Sequence, residues 1–154
     1  MSANLTLDAL DKYILNALQT NARTSYAELA KAQHVSAATI HVRIEKLRQA
    51  GVITGTHVHV DARKLGYQVC CFIGINLARA GDYPRTLARL EALPEVVEAH
   101  YTTGQYSIFI KVLVQSIEQL QDLLINKIQS IDEIQATETL ISLQQPILRN
   151  APVV

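Results

Sequence analysis

Apolar residues in the first third of the chain recur at helical spacing. Leu7, Leu10, Ile14, Ala17 and Leu18 form one stripe. It predicts a first helix with Asp8 and Asp11 in its opening turn, where negative charge suits the helix dipole. Ser25-Tyr26-Ala27-Glu28 is a capping box, in which a hydroxyl and a carboxylate each satisfy an orphan backbone N–H. A second helix therefore starts there, with Leu29 and Ala30 as a small inner face, and stops near Gln33-His34-Val35. Ser36 caps a third helix whose inner face is Ile40, Ile44 and Leu47, and Gly51 ends it in the left-handed conformation. The short link between the last two helices forces a sharp crossing of the helix-turn-helix kind, with the motif at residues 25–45. Val52-Ile53 and Thr56-His57-Val58-His59-Val60 then read as the two short strands of a wing.

After Asp61 to Gly66, which reads as a linker, the rhythm changes. Residues 69–77 are nearly all apolar and predict a buried strand. Asp82 caps a helix carrying Leu87, Leu90 and Leu93. Val96 to Thr102 and Ile108 to Val114 read as strands joined by a turn at Gly104. Ser116-Ile117-Glu118-Gln119 is a further capping box, opening a helix with Ile117, Leu120, Leu124 and Ile128 on one face, and Ile134 to Leu143 is the last strand. The expected fold class is α+β: a winged helix-turn-helix of three helices plus a short wing, followed by a ferredoxin-like βαββαβ domain. The boundaries are a helix-turn-helix domain at 1–61, a linker at 62–67, and a ferredoxin-like domain at 68–154. Two helices cover one face of such a sheet. Strands apolar on both sides therefore predict self-association through the other.

Apolar residues make up 49 % of the 154-residue chain and charged residues 18 %, which excludes a disordered chain. No apolar run reaches the roughly 18 residues of a membrane span, and Met1 to Leu10 carries no secretory pattern, so a cytoplasmic location is expected. Adjacent Cys70 and Cys71 point to opposite faces of a strand and read as reduced thiols, not a bridge. Net charge is zero, but residues 1–64 hold eight Lys/Arg against five Asp/Glu and residues 65–154 hold six against nine. A mildly basic half joined to an acidic half fits a DNA reader attached to a domain that does not touch DNA.

On the third helix, Ala38, His41, Val42 and Glu45 point away from the inner face at 100° per residue. An outward valine suits a major groove, where Val42 and Ala38 can meet thymine methyls and Thr39 and His41 can reach base edges. The alternative is an ordinary amphipathic helix with Val42 packed on a neighbour. Arg23, Lys46, Arg48, Arg63 and Lys64 are candidate phosphate contacts. The segment Tyr101-Thr102-Thr103-Gly104-Gln105-Tyr106-Ser107 is longer and more polar than a hairpin needs. Backbone N–H groups near Gly104, with the hydroxyls of Thr102 and Ser107, can receive a carboxylate, and Glu138 in Thr137-Glu138-Thr139 can pair with an ammonium. Together they would hold both ends of an amino acid; a plain hairpin and a polar edge strand remain the other reading. His57 and His59 share a strand face but lack a third ligand, so no metal is expected.

Three stretches together resemble the Lrp/AsnC, or feast/famine, regulators: Asn21 to Ala30, Val35-Ser36 to Gly51-Val52-Ile53, and the Thr-Thr-Gly-Xaa-Tyr turn at 102–106. Asp82-Tyr83-Pro84, Tyr106 to Val112 and Ile125 to Gln129 are most similar to the asparagine-responsive branch, as is Ser107, where leucine-responsive relatives commonly carry aspartate. The resemblance implies a transcription regulator that binds double-stranded operator DNA. It also implies no enzymatic activity, no cofactor, L-asparagine as effector, and control of asparagine biosynthesis genes. DNA would be met by Arg23, Ser36, Ala37, Ala38, Thr39, His41, Val42, Arg43 and Lys46. The effector would lie between neighbouring dimers, against Tyr83, Ala99, His100, Tyr101, Thr102, Gly104, Gln105, Tyr106, Ser107, Gln129, Thr137, Glu138 and Thr139. Homodimers would assemble further, commonly into octamers, associated with the nucleoid. Two alternatives accompany this reading. A tetrapyrrole decarboxylase on the same fold needs convergent histidines, which here scatter along the chain. A stand-alone amino-acid sensing module with an idle DNA face is the other.

Overall fold

The computed structural model describes residues 6–154, which divide into two compact units: the chain up to His59 together with Ile147–Val154, and Val60–Pro146.

In the first unit, α1 (Ala9–Thr20) is capped by Asp8, whose carboxylate accepts the Asp11 N–H while Asp11 accepts the Asp8 N–H in return. Both aspartates thus form a reciprocal cap, a more specific role than charges near a dipole. The expected box at Ser25 and Glu28 opens α2 (Tyr26–Gln33). This helix closes on His34 in the left-handed region (φ 53°), with the Val35 N–H returning to the Ala30 carbonyl. Ser36 accepts the Thr39 N–H and starts α3 (Ala37–Gln49). Gly51 (φ 71°) ends it, donating to the Arg48 carbonyl while Val52 donates to Leu47, the paired bonds of a Schellman close. Ile14, Leu15, Leu29, Ala30, Ile40, Ile44 and Leu47 are buried together where the helices meet.

Two expectations for the ends of this unit are corrected. No strand forms at 52–60, because Val52 and Ile53 donate back to Leu47 and the segment pairs with no strand among the described residues; Val58 and Val60 stand 86 % and 65 % exposed. The wing, and with it the shared strand face of His57 and His59, is therefore not observed. The tail 147–154, expected to belong to the second domain, packs on the helices instead: Gln19 donates to the Ala151 carbonyl at 3.0 Å and Val153 covers the core.

The second unit runs β1 (Val69–Leu77), α4 (Tyr83–Glu91), β2 (Val96–Tyr101), β3 (Ile108–Val114), α5 (Ile117–Asp122) and β4 (Ile134–Ile141), with sheet order β2-β3-β1-β4 and every pairing antiparallel. This is the expected βαββαβ arrangement. Alternation along the strands sends Cys71, Ile73, Ile75, Ile108, Ile110 and Val112 into a core with Leu90, Leu120, Leu123 and Ile128 of the helices. The opposite sheet face carries Cys70, Phe72 and Gly74 in register with Leu113, Lys111 and Phe109, and Phe72 stacks on Phe109 at 5.8 Å.

The second half of this unit departs from the expected helix face. After α5 the chain makes a π-helical turn over Leu123–Ile128, closed by the Gln129 N–H on the Leu124 carbonyl. The wider turn re-phases the stripe, so Leu123 and Ile128 join Leu120 inward and Leu124 is half-buried; Ile117, at the start of α5, is 54 % exposed. Ser116 caps as expected, but the Gln119 side chain accepts from Gln115 and not from Ser116. Asp82 precedes α4 without capping it through its side chain; its carboxylate meets Arg85.

Candidate functional site

The core residues of α3 fix which side of that helix reaches solvent. With Ile40, Ile44 and Leu47 buried, Ala37, Ala38, His41, Val42 and Lys46 are exposed, and Thr39 is half-buried. Val42 is 64 % exposed and so does not pack on a neighbour. The hydroxyls of Ser36 and Thr39 lie 2.9 Å apart within the cap, and the His41 ring stands 5.6 Å from the Tyr26 ring on α2. Arg23 and Lys46 are exposed and make no ion pair among the described residues, whereas Arg48 pairs with Glu45 at 2.6 Å. Arg43 differs from the other residues expected at DNA. Its guanidinium is half-buried against α1, on the Asp8 and Asp11 carboxylates. The Asp11 N–H and then Arg43 hold the Asp8 carboxyl below its ordinary range, and the same pairing raises Arg43. The role of these two aspartates was the residue-level feature missed in the sequence. Its signal was present as an acidic N-cap with a second acid three residues on.

The second cluster lies at one end of the sheet. The turn after β2 is stitched by the Thr102 N–H on the Ser107 carbonyl (3.1 Å), the Thr102 hydroxyl on the Tyr106 carbonyl (2.7 Å) and the Ser107 N–H on the Ile75 carbonyl (2.9 Å). Gly104 sits at φ 105°, in the region that favours glycine. The backbone N–H groups of Thr103, Gly104, Gln105 and Tyr106 find no acceptor among the described residues. Beside them the Tyr83 and Tyr101 rings stand 4.3 Å apart, with Tyr101 62 % exposed.

The β4 residues expected at the effector separate by face. Glu138 is opposite Gly74 and accepts the Tyr106 hydroxyl, whereas Thr137 and Thr139 point the other way and Thr137 accepts from Gln129 at 3.1 Å. Ala99 shares its face of β2 with Tyr101, and His100 lies on the other face, 3.7 Å from Glu98. The structure therefore forms three pairs, Tyr83 with Tyr101, Tyr106 with Glu138 and Gln129 with Thr137, and does not gather all the expected effector residues around one cavity. A shallow groove of about 290 Å³ is lined by Leu87, Glu91, Val96, Val97, Glu98 and Ala99, and of the expected residues it includes Ala99 alone. No group of three His, Cys, Asp or Glu side chains suited to a metal occurs among the described residues, and no described helix is long and apolar enough to cross a membrane.

Comparison with known proteins places both clusters in matched regions. Residues 7–48 match the AsnC-type helix-turn-helix domain and residues 70–152 the Lrp/AsnC ligand binding domain. The chain is 64 % identical over 146 residues to Regulatory protein AsnC of Escherichia coli K12, covering 95 % of this chain and 96 % of that one. It is 60 % identical over 144 residues to Regulatory protein AsnC of Haemophilus influenzae, covering 94 % and 96 %. The solved structure of E. coli AsnC superposes with a TM-score of 0.93 at 62 % identity, over 97 % of this chain and 100 % of that one. The fold also matches the transcriptional regulator NMB0573 of Neisseria meningitidis, solved as an L-methionine complex, at a TM-score of 0.86 and 21 % identity over 94 % of each chain. These relatives carry names of regulatory proteins, which replaces the decarboxylase alternative with a regulator. The chain belongs to the Lrp/AsnC family and is a DNA-binding transcription regulator with a helix-turn-helix domain and a separate ligand-binding domain.

Proposed function

We propose that this regulator senses L-asparagine and sets the expression of asparagine biosynthesis genes. The observation that carries the sensing half is the turn at 101–107, whose successive N–H groups at 103–106 find no acceptor among the described residues and form a cradle for a carboxylate. Glu138, held beside this turn by Tyr106 on the outer sheet face, faces the ammonium, and Thr102 and Ser107 border the ligand, while Tyr83, Tyr101 and Gln129 lie on the helix-covered face. The high identity to proteins named AsnC supports asparagine as the effector, and the methionine bound by the Neisseria regulator supports an amino acid in this fold. Because the turn is open to solvent in one chain, the site is completed by a neighbouring dimer. The apolar outer sheet face around Phe72 and Phe109 forms the dimer, and dimers build an octamer. The protein works in the cytoplasm, on the nucleoid.

At DNA, α3 enters the major groove with Ala38, His41 and Val42 towards base edges, while Arg23 and Lys46 meet phosphates. Asparagine favours one dimer–dimer arrangement over another, which changes how several reading heads present together. A thermal-shift screen of the twenty amino acids tests the sensing claim. Asparagine is expected to give the largest rise in melting temperature and to change retention of genomic fragments in a gel shift at stated salt. A larger shift from glutamine or leucine removes asparagine, and no shift from any of them removes the sensing claim.

A further inference from the structure

Half-way along α3, between outward-facing Val42 and buried Ile44, Arg43 makes two bonds that run to another helix. Its Nη1 lies 2.5 Å from Asp8 Oδ2 and 3.1 Å from Asp11 Oδ1. Neither carboxylate is a casual partner. Asp8 Oδ1 accepts the Asp11 N–H at 2.9 Å and Asp11 Oδ2 accepts the Asp8 N–H at 3.2 Å. Each acid therefore uses one oxygen to cap α1 and the other to hold Arg43. Asp11 is 2 % exposed, so an arginine that left for a phosphate would strand a buried carboxylate.

We propose that Arg43 is a positioning residue for DNA reading and not a phosphate contact: it fixes the rotation of α3 about its own axis against the first turn of α1. The claim rests on α3 being the helix that enters the groove. The apolar contacts of Ile40, Ile44 and Leu47 hold α3 to its neighbours but are non-directional and tolerate slip. Charge-assisted bonds to two fixed oxygens are directional and oppose it. His41 and Val42 directly precede Arg43 in the helix, so a small rotation re-aims both. The two aspartates thereby join the DNA-reading machinery without touching DNA.

The test uses the full-length chain and two duplexes. One is selected by the wild-type chain from a random-sequence pool; the other is an unrelated duplex of equal length. Anisotropy titrations across a KCl series compare wild type, Arg43→Met, the pair Asp8→Asn with Asp11→Asn, and the triple variant. Asparagine at position 8 keeps the cap. Arg43→Met and the acid pair should each lose about tenfold on the selected duplex and little on the unrelated one, with salt slopes unchanged. The triple should lose no more than either, because one linkage has been cut in each case. It also leaves no buried unpaired charge, so it reports even where Arg43→Met unfolds. A salt slope reduced by about one in Arg43→Met, equal losses on both duplexes, additive losses in the triple, or undiminished binding by the acid pair overturns the proposal. A wild-type chain that enriches no sequence fails the reading of α3 itself, which separates the two failures.

Discussion

His34 ends α2 at φ 53°, a conformation in which a side chain bearing Cβ costs roughly 1–2 kcal/mol. Its ring is exposed, so glycine at this position loses no packing. His34→Gly should therefore raise stability by roughly 0.5–1 kcal/mol, part of the relief being offset by the freer unfolded chain; a higher urea midpoint at an unchanged slope checks it. Gly104 is the opposite case. With φ at 105° and its N–H in the proposed cradle, Gly104→Asp adds strain and places a negative charge where a carboxylate should sit. Asparagine binding measured by calorimetry should be lost while the gel-shift titration at fixed salt stays unchanged. Wild-type affinity in the variant counts against the cradle.

At the scale of elements, the caps govern how the helical unit responds to acid. The Asp11 N–H and Arg43 keep the Asp8 carboxyl below its ordinary range, and the Ser25 N–H and hydroxyl do the same for Glu28 at α2. A depressed folded pKa means that the folded chain holds its proton more weakly than the unfolded one. The stabilisation is complete above the ordinary carboxylate value and is lost as pH falls through the lowered one. The urea midpoint followed by helical circular dichroism should therefore drop on acidification below about pH 4. A variant with Asp8→Asn and Glu28→Gln should give a flatter profile. An equally steep fall in that variant moves the acid sensitivity elsewhere, for instance to the Glu95–Lys127 pair at 2.6 Å.

Over the whole molecule, the two units have separate cores. Ile44 is 1 % exposed in the first, and Ile73 and Ile110 are fully buried in the second. Ile44→Ala should cost about 2–5 kcal/mol in the helical unit. Hydrogen exchange should then show protection falling across residues 9–49 and persisting across 69–141. A uniform loss over both ranges would mean that the units unfold as one.

Local patterns in the chain determined the three helices, the four strands and their order, because capping residues and periodic apolar positions act within a few residues of themselves. The direction of the outward face of α3 was legible for the same reason, but only the fold decided that Val42 on that face meets solvent and not a neighbour. Relations between distant segments were decided only in three dimensions. The tail at 147–154 left its expected domain for the α1 side of the helical unit, and Val58 and Val60 found no strand to pair with among the described residues. Glu138 met Tyr106 across 32 residues while its neighbour Thr137 turned to Gln129, and Arg43 reached back 35 residues to Asp8. Such contacts depend on where the packed core places chain ends and sheet faces, and that is a property of the assembled fold, not of any short stretch of sequence.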